Sequence, residues 1–70
     1  MNIVFTSHAE DRINIRKITK EEVIEAIFYP EKITKKYEKY YFTKKLQKGT
    51  IEVCCERTER DIKIITVYWV

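Results

Sequence analysis

His8, Arg12 and Arg16 stand at i, i+4 and i+8, and His8 is the single histidine of the chain. On a helix each step of four drifts by about 40°, so the three side chains form one slowly turning stripe. Ala9 and Ile13 lie beside that stripe and are the residues such a helix would bury. Histidine is suited to proton transfer, because its ordinary pKa of about 6.5 lies near working pH. Arginine stays charged and can hold phosphate oxygens bidentately. The bland alternative is a helix whose cations are merely solvated, with a histidine tolerated near its N-terminus.

A second grouping is electrostatic. Between Lys32 and Lys48 there are seven lysines and one acid, Glu38, a balance of +6 in a chain whose net charge is +3. Tyr37, Tyr40, Tyr41 and Phe42 interleave with those lysines. Such a segment suits a polyanion surface, with Lys35, Lys36, Lys39, Lys44 and Lys45 neutralising phosphates and Tyr41 offering a ring for stacking on bases. The competing reading is a solubilising sheet edge, where lysine discourages aggregation. Cys54 and Cys55 are adjacent, so in a strand they point to opposite faces. They lack zinc-ligand spacing, and one histidine cannot complete a site with them. Cys55 reads as a core residue, or Cys54 in the other register, and no metal or cofactor is expected.

The elements that must position these groups begin with two short helices. Ser7 to Glu10 fits a capping box, and Thr19 to Glu22 fits another. Ile18 and Val23 form a hydrophobic staple around the second cap. The second helix should stop at Tyr29, because Pro30 disfavours helical backbone in the residue before it. Its apolar stripe is Val23, Ile24, Ile27 and Phe28. Asn2 to Thr6 precedes the helices as a short β-prone run. After Pro30 the chain reads as strands over Lys32–Tyr37, Lys39–Leu46, Thr50–Glu56 and Ile62–Val70, with a hairpin turn at Gln47-Lys48-Gly49. Phe28 and Trp69 are the expected core aromatics.

The expected fold is α+β, in the order β-α-α-β-β-β-β. Two N-terminal helices pack on one face of a twisted, mainly antiparallel sheet of four to five strands, in one domain over residues 1–70. No apolar run is long enough to span a bilayer, and no signal peptide is visible, so a cytoplasmic protein without membrane contact is expected.

The run Ser7-His8-Ala9-Glu10-Asp11-Arg12, then Arg16, Ile18-Thr19, Glu22-Val23, Ile27 and Pro30-Glu31-Lys32-Ile33, resembles the small bacterial and archaeal domain of unknown function 4258 family. A Tyr-rich strand and a last strand through Ile65-Thr66-Val67-Tyr68 continue the likeness across nearly the whole chain. Lys17 departs from it, standing where the family usually has glycine between the helices.

That family looks like a relative of the RelE and BrnT ribonuclease toxins. The resemblance implies a RelE-like fold and metal-independent RNA cleavage by 2′-hydroxyl attack, often as the toxin of a toxin–antitoxin pair. RNA and a cognate antitoxin protein are the implied partners. In that reaction a base takes the 2′-hydroxyl proton, an acid protonates the departing 5′-oxygen, and a cation steadies the phosphorane. His8 is assigned to proton transfer, and Arg12 with Arg16 or Arg57 to phosphate binding. Thr66 and Tyr68 share one face of the last strand by alternation and are candidate site walls or proton donors. The alternative is a non-catalytic module of the same fold that binds RNA or a partner protein through the basic strands.

Overall fold

The first helix starts one residue earlier than its capping signature predicts. In a computed structural model, which describes residues 2–70, α1 spans Ser7–Ile15 and Thr6 is its N-cap. The Thr6 hydroxyl accepts from the Ala9 amide at 3.0 Å and donates to the Ile64 carbonyl at 2.9 Å. One side chain thus caps the helix and ties it to the sheet, which Ser7, one position on, does not do. The second box forms as read: Thr19 Oγ1 accepts from the Glu22 amide, and Glu22 Oε1 accepts from the Thr19 amide. Helix α2 spans Lys20–Phe28 and is capped by Tyr29 ahead of Pro30. Between the helices Lys17 takes a left-handed φ of 59°. That conformation is the one glycine adopts without strain, which accounts for the glycine that the resemblance places there.

Strand β1 is Asn2–Phe5, and β2 (Lys32–Lys36), β3 (Lys39–Leu46), β4 (Gly49–Arg57) and β5 (Asp61–Trp69) follow the helices. They form one five-stranded sheet in the order β1-β5-β4-β3-β2. The three hairpin pairings are antiparallel, and β1 joins β5 in parallel. Both helices lie on one face, so the architecture is α+β with a mixed, mainly antiparallel sheet.

The core lies between the helices and that face. Ala9 and Ile13 of α1, Ile18, and Val23, Ala26 and Ile27 of α2 meet Phe42, Ile51, Val53, Cys55, Ile62, Ile64 and Val67. Burying each valine, isoleucine or phenylalanine of this set removes it from water at a gain of roughly 1.5–3 kcal/mol. Phe28 is not among them: it is 62% exposed, and Ile24 is also exposed. At 100° per residue Phe28 lies about 140° around the helix from Val23, so it sits at the rim of the helix–sheet layer and not in the core. Ala26 takes the inward place instead.

Trp69 packs against the core's edge. Its indole Nε1 donates to the Arg16 carbonyl at 2.9 Å. A Cβ at Gly49 would come within 3.1 Å of its ring, and Gly49 has a φ of +147°. Space and backbone both require glycine there. Among the described residues no helix is long and apolar enough to cross a membrane.

Candidate functional site

A β-bulge decides which face the last strand's polar groups occupy. Cys54 pairs with Thr66 and Cys55 with Ile64, so Ile65 has no partner. The extra residue reverses the alternation along β5. Ile62 and Ile64 before it, and Val67 and Trp69 after it, all face the helices. Thr66 and Tyr68 therefore face the other way, onto the surface that no helix covers.

On that open face β2, β3, β4 and β5 contribute Lys32, Thr34, Lys36, Tyr41, Thr43, Glu52 and Tyr68 to a shallow groove of about 460 Å³, with Tyr37 at its lip. Tyr37 and Glu38 form the two-residue β2–β3 turn with φ of 51° and 66°. Two positive φ values match the twist of a tight hairpin, but here neither residue is glycine or asparagine. Left-handed backbone in such residues costs energy, and at this turn it places a largely exposed tyrosine ring beside the groove. Lys32 and Lys36 make no ion pair among the described residues, whereas Lys39 reaches Glu56 at 3.4 Å.

Glu52 is the acid at the floor. The Tyr68 hydroxyl donates to its Oε2 at 3.2 Å. Burial, together with the neighbouring Glu52 charge, pushes the Tyr68 phenol up to about 12. Tyr41 is also raised, first by its hydrogen bond to the Cys54 sulfur. Burial raises the Cys54 thiol and takes Cys55 to about 12. Both phenols and both thiols are consequently protonated at neutral pH. Thiolate nucleophiles are excluded, and phenolic proton donors are retained.

These shifts set an alkaline limit on stability. In the unfolded chain the thiols and phenols ionise near their ordinary values, below their folded ones. Above about pH 8.5 the unfolded state binds fewer protons than the folded state, so stability falls as pH rises. The loss continues to about 12, the folded value of Cys55 and Tyr68. Urea unfolding at pH 7, 9 and 10.5 should show a declining midpoint, and Tyr68→Phe should flatten the upper part of the decline. A midpoint constant across that range would show that these groups ionise alike in both states.

The remaining sequence-predicted residues fall into separate places. His8 is exposed on α1, in the helical layer on the far side of the sheet from the groove. Arg12 is half-buried, and its Nε is buried without a hydrogen-bond partner. Arg16 braces the fold: its guanidinium donates to the Val67 carbonyl at 2.7 Å. Strand β1 pairs only with Asp61 to Ile64, so Arg16 serves the edge of β5 beyond the reach of that strand. Arg57 and Lys35 both lie over the Tyr40 ring, at 6.0 and 5.5 Å, on the helical side. Lys44 is largely covered there, between Glu25 at 3.7 Å and Glu31 at 3.8 Å. Lys36, Lys39, Tyr41, Lys45, Thr66 and Tyr68 share the open face by register.

Sequence reasoning missed Glu52, and it placed Lys32 and Tyr37 in the basic segment without assigning either to the site. Alternation did turn Glu52 outward, but only the pairing of β4 with β5 sets it opposite Tyr68. The chain matches the family described as Domain of unknown function (DUF4258) over residues 5–69. No curated protein and no solved structure matches it.

Proposed function

The chain belongs to the domain of unknown function 4258 family, and on that premise we propose that it is a metal-independent endoribonuclease, the toxin of a toxin–antitoxin pair. The observation that carries this reading is the open-face groove, which joins unpaired lysines, tyrosine rings and one carboxylate flanked by two protonated phenols. The likeness of that family to the RelE and BrnT toxins supports the reaction class, although it assigns the chemistry to His8 and Arg12 and not to the groove.

Each component suits single-stranded RNA. Lys32 and Lys36 neutralise phosphates without surrendering an existing ion pair. Tyr37 and Tyr41 offer rings on which bases stack. Glu52 takes the 2′-hydroxyl proton, and the 2′-oxygen then forms a bond to phosphorus as the bond to the 5′-oxygen breaks. Tyr68 holds the Glu52 carboxylate in place through its hydroxyl. Tyr41, whose phenol is held protonated beside Cys54, gives its proton to the departing 5′-oxygen. A lysine ammonium steadies the charged phosphorane. The products are a 2′,3′-cyclic phosphate and a 5′-hydroxyl, and DNA, lacking the attacking group, is not cut.

End-labelled RNA incubated with the protein in EDTA tests this directly. Fragments with 2′,3′-cyclic ends are expected, and uncut RNA at enzyme excess would leave the non-catalytic binding module as the function. Binding should weaken with salt. Each phosphate contact on a single strand contributes about 0.7 to the slope of log affinity against log salt. Lys32→Gln with Lys36→Gln should flatten that slope, while Lys44→Gln, already paired with two glutamates, should leave it nearly unchanged. Equal effects from all three positions would move the RNA off the groove.

A further inference from the structure

Strand β2 ends the sheet with every residue exposed and no strand on its outer side. Its outward amides and carbonyls are an unfilled hydrogen-bonding edge. Beside that edge, on the helical face, lies an apolar groove of about 290 Å³ walled by Phe28, Ile33, Tyr40 and Phe42. Phe28, Tyr29 and Ile33 are 62%, 71% and 55% exposed. An exposed edge next to exposed aromatic and aliphatic side chains is a docking feature, since isolated domains rarely leave both uncovered.

The charges identify what fits. Lys32, Lys35 and Lys36 make no ion pair among the described residues. A second copy pairing antiparallel about Thr34 would set Lys32 opposite Lys36 at both ends of the strand, because it reads Lys-Ile-Thr-Lys-Lys. Like charges placed opposite one another destabilise a sheet. We propose that the β2 edge takes an extended, acidic segment of a partner protein as a sixth strand. By the alternation of a strand, its carboxylates would lie beside Lys32 and Lys36 on the open face. Its apolar residues would extend the surface of Ile33 and Phe28 on the helical face. Backbone hydrogen bonds supply affinity in such strand addition, and the alternating side chains supply selectivity. Lys32 and Lys36 also line the groove, but the strand addition rests on the β2 backbone edge and the apolar helical face, so it stands whether or not RNA is cleaved.

The probe is a fluorescein-labelled peptide Glu-Val-Glu-Ile-Glu-Val-Glu, with Lys-Val-Lys-Ile-Lys-Val-Lys and oligouridylate as comparisons. The acidic peptide should bind by anisotropy and slow exchange of the β2 amides that point away from β3. Reversing Lys32, Lys35 and Lys36 to Glu should weaken the acidic peptide by at least about tenfold and admit the basic one. Phe28→Ser should weaken the acidic peptide without moving the melting temperature, because the ring is exposed. Equal affinity for both peptides in the parent protein would overturn the proposal. Protection of the same amides by oligouridylate alone would make the edge an RNA surface. Their protection by raised protein concentration alone would make it a contact between two copies.

Discussion

Glu52→Gln should lower the rate of RNA cleavage by roughly 10²–10⁴-fold, the usual contribution of a positioned general base. The amide keeps the shape of the carboxylate and can still accept from Tyr68 at the site of the present 3.2 Å contact. Fold and RNA affinity should therefore persist, with the loss confined to the chemical step under single-turnover conditions. Tyr41→Phe should reduce the same step by removing the proton donor. Tyr68→Phe should act less severely, because it frees the carboxylate without abolishing it. His8→Ala provides the contrast. The resemblance assigns proton transfer to His8, but that residue is exposed on α1, while Glu52 lies on the sheet face turned away from the helices. If His8→Ala or Arg12→Ala abolishes cleavage and Glu52→Gln does not, the reaction belongs to the helical stripe. The groove would then only bind.

The difference between these two assignments shows how far the sequence reaches. Local signals were legible: the Thr19 capping box, the stop before Pro30, the Gly49 hairpin and the buried Ala9/Ile13 pair all depend on neighbours within a few residues. The α1 cap was misplaced by one position because Thr6 is held by the Ile64 carbonyl, 58 residues away in the chain. Phe28 looked like core because it is apolar and follows Ile27, yet helical rotation carries it to the exposed rim of the helix–sheet layer. The site was harder still. Lys35 and Lys36 look equivalent in the sequence, but pairing with Tyr40 and Lys39 sends them to opposite faces. Lys44 reads as a free cation until α2 brings Glu25 beside it. The Ile65 bulge leaves no local signature, and it alone lets Ile64 and Val67 face the same core.

Trp69→Ala should cost about 3 kcal/mol, the low end of the range for truncating a large buried aromatic, because the ring is partly buried at the core's edge. The ring covers Gly49 at the start of β4, and its Nε1 satisfies the Arg16 carbonyl at the end of α1. Removing it opens space on the core's edge and leaves that carbonyl to find water. Arg16 loses one of its two ties to β5, the other being its bond to the Val67 carbonyl. A domain of this size commands only about 0.05–0.15 kcal/mol per residue, so a loss of this scale consumes much of its stability. Urea unfolding followed by far-UV circular dichroism measures the change. Trp69→Phe separates the two contributions: it keeps most of the apolar contact and loses the indole donor, at roughly 1 kcal/mol. Phe28→Ala is the reference, and exposure of its ring limits the expected change to within about 0.5 kcal/mol. If Trp69→Ala and Phe28→Ala shift the midpoint equally, Trp69 is not the strut between α1 and the β4–β5 hairpin.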